Sequence, residues 1–381
     1  MPAILLIVAW GCEKRYTPVI EQKYQEILVV DGMISSRPGP YTVTLSMTST
    51  MEDPRIIPQA GYRVEISDEL GNSEVLTETA AGVYSTSPEG IQGVPGRKYM
   101  LELNSPSGVQ YRSDFEELPH PVPVDSVYAE VEYISIDDFP YNLPGYQFYL
   151  DLRDIPADSV NFLWRLTETY KYQADHPLRF TYDGMLHPIS NGDSLRTCYK
   201  TDPVHEIFLL GTAGLSSSNI SRIPLNFVGT DNRRLDMRYS LLAEQYCISD
   251  KAFTYWKTIR ELSVESGEMY TKMPFQVRGN ISRVDQPEVP VYGYFMTAGL
   301  TGKRIFVNRP RPPVEMYFSK CVLTDSDFRN YGMMFLGKPP SPDDPNLITE
   351  TPQGQRAWPL PSCVDCRAKG GRLEKPDFWI D

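Results

Sequence analysis

The sequence predicts an all-β fold, on three features. Proline is abundant, at 33 of 381 residues, and proline breaks helices but suits strand edges and turns. Tyrosine is abundant too, at 24, and its ring suits a half-buried pleated surface. Most decisively, apolar and polar residues alternate over many short stretches, the period of a strand with one face in a core. The length exceeds what one core usually holds, which predicts two domains.

The elements follow in order. Residues 1–25 read as a signal and polar tether, and the pattern turns strand-like at residues 27–30. Tyr41, Val43, Leu45 and Met47 alternate with Thr42, Thr44 and Ser46, and Tyr62, Val64 and Ile66 repeat the period. Gly71-Asn72 supplies a turn with access to positive φ. Strands are expected again at residues 75–78, 83–86 and 99–103, and after the turn Ser105-Pro106-Ser107-Gly108. About seven short strands in some ninety residues is the spacing of an immunoglobulin-like sandwich, expected over residues 26–119. His120-Pro121-Val122-Pro123 reads as a stiff linker. A larger β-rich domain is expected over residues 124–381, with alternation at Val127–Tyr133, Tyr146–Leu152, Phe162–Leu166 and Tyr239–Ala243, and further strands at residues 275–281, 291–297 and 304–308.

One segment breaks the period of two. Ala252, Tyr255, Trp256, Ile259 and Leu262 share a helical face. Ser249 is placed to cap its start and Gly267 to end it, so residues 249–266 predict one amphipathic helix on the β-domain. The Pro-rich stretch at 339–361 predicts an extended surface excursion.

Charge excludes one class of partner. A formal net charge of −12 disfavours nucleic acid, which requires a basic phosphate-tracking surface. The apolar run at residues 3–10 is too short to span a bilayer and reads as the apolar region of an export signal. Gly11-Cys12 follows at once, the pattern of a bacterial lipoprotein signal in which Cys12 is acylated.

Chemical motifs are scarce. His120, His176, His187 and His205 lack ligand spacing and read as solvated loop residues, so no metal site is expected. Asp325-Ser326-Asp327 begins like a calcium loop. The loop's sixth position would be Asn330 and its twelfth Leu336, where Gly and Glu are needed. No nucleophile elbow or phosphate loop occurs, and neither a catalytic constellation nor a cofactor is expected. Cys363-Val-Asp-Cys366 is a C-x-x-C motif, but an exported β-rich chain favours structural disulfides over redox or zinc use. The disulfide candidates are Cys198, Cys321, Cys363 and Cys366, with the pairing open. At least one of Cys363 and Cys366 is expected to bond to the body of the second domain, and Cys247 is expected to be a buried free thiol.

The C-terminus carries a resemblance. Cys363, Asp365 and Cys366, then Gly370-Gly371, then Pro376-Asp377-Phe378-Trp379, resemble the terminal signature of the domain of unknown function 4249 family. The likeness extends to the stretch from Trp164 to Tyr170, to Arg238 and its neighbours, to Gly279-Asn280-Ile281, to Gly293 and Phe295, and to Cys12-Glu13-Lys14. The resemblance implies a Gram-negative lipoprotein without assigned activity, of a kind often encoded beside TonB-dependent transporters.

The expected function is therefore a non-catalytic outer-membrane lipoprotein, on the periplasmic face or cell surface, that assists a TonB-dependent transporter or presents a ligand to it. Two rivals come from other classes. A surface glycan binder or adhesin would stack sugars on Tyr170, Tyr172 or Tyr182. A surface hydrolase would need carboxylates such as Glu168, Asp202 and Glu206 brought together.

Overall fold

A computed structural model describes residues 26–50, 53–135, 142–215, 217–265, 277–311 and 314–381. Strands account for 44% and helix for 11%, so the chain is all-β. Cys12 and the possible helix stop Gly267 lie outside the described residues.

Two β-sandwich cores share one long sheet. In the first, strands Leu28–Ser35, Thr42–Met47, Val83–Ser85 and Thr77–Ala80 form one layer, and Arg63–Asp68, Lys98–Asn104 and Gln110–Ser113 the other. Val30, Val43 and Leu45 from one layer meet Val64, Ile66, Leu101 and Leu103 from the other. These are the alternating apolar positions of the sequence, and burying them against the facing layer holds the sheets together. In the second core, Ser126–Ile134, Leu143–Leu152 and Ile220–Gly229 cover the strands Thr197–Gly211, Asn161–Gln173 and Arg238–Ile248. Phe148, Phe162, Trp164, Leu166, Tyr239 and Leu241 fill it.

The strand Tyr292–Asn308 belongs to both cores. It pairs antiparallel with Arg238–Ile248 and parallel with Leu28–Ser35. Phe295 lies in the first core, and Ile305 and Val307 pack on the second. The strand Ile281–Arg283 also joins the first sandwich, on the edge strand Gln110–Ser113. The first core thus draws on residues from both sides of His120–Pro123. That segment is docked: the Val122 carbonyl accepts from Gln245 Nε2 at 2.7 Å and from Thr301 Oγ1 at 2.8 Å. Gly299 permits this, since a Cβ there would sit 2.5 Å from the Pro119 carbonyl oxygen.

The helix Asp250–Glu265 lies across the opposite face of the long sheet, where Ala252, Phe253, Tyr255 and Trp256 meet Leu163, Tyr246, Tyr294 and Met296. Ser249 Oγ caps it, accepting from the Ala252 amide at 3.1 Å. A second, short helix, Asp325–Met333, adds to the one expected. Its capping box is Thr324 with Asp327, and only Asp327 belongs to the stretch set aside as a failed calcium loop.

Register places the two ends of the molecule. Val29 pairs with Tyr292, and Asn308 pairs with Arg238, which pairs with Lys171. Tyr292–Asn308 spans 17 residues, about 55 Å of extended chain. The N-terminal strand therefore starts at one end of the long sheet, and the cysteine-rich C-terminal region docks at the other.

Candidate functional site

The C-terminal region is a module bolted to the far end of the long sheet. Disulfides join Cys198 to Cys366 and Cys321 to Cys363. Cys198 sits on the outer strand Thr197–Gly211, opposite Tyr172. The buried Tyr172 hydroxyl donates to the Cys366 carbonyl at 2.7 Å, and burial pushes its pKa up to about 12. Cys247 is free and buried, and burial raises its pKa to about 11.

The C-x-D-C, Gly-Gly and Pro-Asp-Phe-Trp residues hold the chain end in place. Asp365 accepts from the Arg367 amide at 2.9 Å and pairs with its guanidinium at 2.7 Å, which fixes the turn after the C-x-D-C. Gly370 has φ +82°, a conformation glycine tolerates best. A Cβ on Gly371 would lie 2.4 Å from the Tyr172 hydroxyl and 2.7 Å from Cys198 Cβ. Only a glycine lets the chain pass so close to the disulfide. Pro376 accepts from the Trp379 amide at 2.9 Å, with Asp377 exposed in that turn. Buried Trp379 meets Tyr199 and Phe306 edge-on, at 5.1 and 5.5 Å between ring centroids. Phe378 lies under the Arg304 guanidinium, 3.6 Å from its centroid.

The second disulfide is anchored by the loop after Asn161–Gln173. Asp175 accepts from Arg233 Nη2 at 2.5 Å and from the Cys321 amide at 2.8 Å. Burial alone would raise the Asp175 pKa, but these two donors together hold it below the usual carboxylate value. His176 donates its amide to the Cys363 carbonyl at 2.9 Å, and its ring nitrogen bonds the Cys321 carbonyl at 2.9 Å. The expectation of a solvated loop fails for this histidine, because its backbone and ring both clasp the disulfide.

Beyond the anchor, the module has two surface features. A small sheet of Leu186–Pro188, Phe180–Tyr182, Asn346–Glu350 and Arg356–Ala357 packs with the second helix. At the end of that helix and just after it, Met333, Phe335 and Leu336 are exposed by 62, 46 and 78%, and Met185 at the neighbouring hairpin tip by 69%. Phe335 touches Tyr182 and Tyr331, and Gly184, next to Met185, abuts Pro339, so the hairpin tip and the chain after the helix are neighbours that carry these exposed apolar side chains. Several large apolar side chains exposed on neighbouring elements are the kind of surface that serves as an interaction site. The sequence reading missed it; its signal was the run Met333-Met334-Phe335-Leu336 next to a polar helix. The second feature is a cleft of about 930 Å³ between the small sheet, the second helix and the signature turn, lined by Trp358, Asp343, Asp344 and Arg367 among others.

Residues named for the rival chemistries are differently placed. Glu168 and Asp202 stand in register on neighbouring strands. Buried Glu168 is committed to Tyr239 at 2.9 Å and Arg234 at 3.3 Å, and Asp202 pairs with Lys200 at 3.2 Å. Glu206 is exposed where the register slips. Tyr172 and Tyr182 are buried, and half-buried Tyr170 tilts against Tyr172. Among the described residues, no three His, Cys, Asp or Glu side chains gather as a metal site.

No curated protein matches the chain. The family described as a domain of unknown function (DUF4249) matches residues 13–304, well over half of the sequence. The match includes both sandwich cores and the shared strand as far as Arg304, and on that extent the chain belongs to the DUF4249 family.

Proposed function

We propose that this protein is a non-catalytic lipoprotein of the outer membrane, anchored at Cys12, that offers its C-terminal module to a protein partner, a TonB-dependent transporter. The observation that carries the reading is the exposed apolar area of Met185, Met333, Phe335 and Leu336. It sits on the module docked at the opposite end of the long sheet from the first described strand. An anchor at the N-terminus would hold the first sandwich near the lipid and direct the module away from it. Two disulfides suit an exported protein, since such bonds persist in oxidising compartments. Acylation suits stable anchoring, because several chains hold a membrane where one does not. The transporter as partner rests on the family resemblance.

Affinity capture from detergent-solubilised outer membranes tests the reading, with mass spectrometry of the mature N-terminus alongside. A transporter barrel should co-purify with the native chain, and the double variant Met333→Asp, Leu336→Asp should lose it. Cys12 should carry acyl chains. An unmodified Cys12, or equal capture by native chain and variant, contradicts the reading.

A further inference from the structure

We propose that the cleft between the small C-terminal sheet and the signature turn is a saccharide-binding site for neutral or amino sugars. Its volume of about 930 Å³ falls within the ordinary range for small-molecule sites, about 300–1,000 Å³. Its walls combine two chemistries that a sugar ring needs together. Trp358 supplies a partly exposed indole against which the C–H face of a pyranose can stack. Around it stand Asp343, Asp344, Asn330 and Asn346, whose carboxylates and amides can take hydroxyl groups in pairs, donating and accepting. A purely apolar ligand would make no use of these groups.

The site is built rather than incidental. The Trp358 amide donates to the Asp327 carbonyl at 3.1 Å, which fixes the indole's backbone against the second helix. Another part of the wall is the Asp365–Arg367 turn, held by the Cys198–Cys366 bond. Both parts are therefore preorganised, and a ligand would not have to order them. Charge narrows the class. Asp343 and Asp344 are both exposed on the rim, whereas Arg367 is already paired with Asp365. A uronic acid would meet uncompensated like charge, and an amino sugar would meet its complement.

None of the exposed apolar residues Met185, Met333, Phe335 and Leu336 lines the cleft, so this inference stands or falls independently of the transporter reading. Isothermal titration of the full chain tests it, with cellohexaose, maltohexaose, chitohexaose, chitosan hexamer and oligogalacturonate as probes. At least one of the first four should bind, and oligogalacturonate should not. Trp358→Ala should weaken binding by about tenfold or more. Because Trp358 also packs in the module, Asp344→Lys on the exposed rim gives a second readout, and it should weaken chitosan hexamer most. Met333→Asp, Leu336→Asp should bind as the native chain does. The proposal is overturned if none of the first four binds, if oligogalacturonate binds best, or if both Trp358→Ala and Asp344→Lys bind like the native chain. Binding of octalysine without any saccharide would mark a basic-peptide groove and overturn it equally.

Discussion

At the scale of single residues, the signature is a set of fittings for close approach. Gly371 passes where a Cβ would sit 2.4 Å from the Tyr172 hydroxyl. Gly371→Ala should therefore destabilise the fold by about 1–3 kcal/mol through overpacking. Gly337 has open space around it, and Gly337→Ala should stay within about 0.5 kcal/mol. Urea titration of the two variants checks the contrast. Asp175 adds a pH dependence. Its folded pKa is depressed, so its contribution is present above the unfolded value, near 3.9, and is lost as pH falls through the lower folded value. Stability should drop on acidification below about pH 4, and Asp175→Asn should flatten that drop. Cys247 should resist alkylation at pH 8 in the folded chain, since burial pushes its thiol pKa up to about 11, and should react once the chain is unfolded.

At the scale of elements, much of the design was legible because it is local. Thr42–Met47, Arg63–Asp68 and Lys98–Asn104 bury the alternating residues that the period of two marks. The long helix begins at the capping serine that the sequence offers, and Ser249→Ala should cost about 1 kcal/mol in thermal or denaturant unfolding. The short helix escaped notice because Asp325 and Asp327 were weighed as ligands rather than as helix-start residues. The pairing of Cys198 with Cys366, 168 residues apart, was not legible, because spacing along the chain says nothing about proximity across a sheet. Replacing both cysteines of that pair with alanine should cost about 2–5 kcal/mol. It should also expose the chain after residue 366 to limited proteolysis, while the two cores stay folded.

At the scale of the molecule, the strand Tyr292–Asn308 could not be read in advance. Its sequence announces a strand, but not that one half completes the first sandwich while the other packs on the second. Such pairings are decided by global packing, which periodicity does not encode. The candidate site was partly legible: the C-x-D-C and Pro-Asp-Phe-Trp residues were singled out, and they form its anchor. The apolar area and the cleft were not, because exposure of Met333 and Leu336 depends on what the module leaves uncovered. The same architecture gives the proposal its geometry, with the start of the first described strand and the C-terminal module about 55 Å of strand apart. A photo-crosslinking residue placed in living cells at Leu336, and separately at exposed Leu70 of the first sandwich, tests that claim most directly. The account predicts a covalent adduct with a transporter barrel from position 336 and none from position 70. No adduct at 336, or adducts of equal yield from both positions, would contradict it.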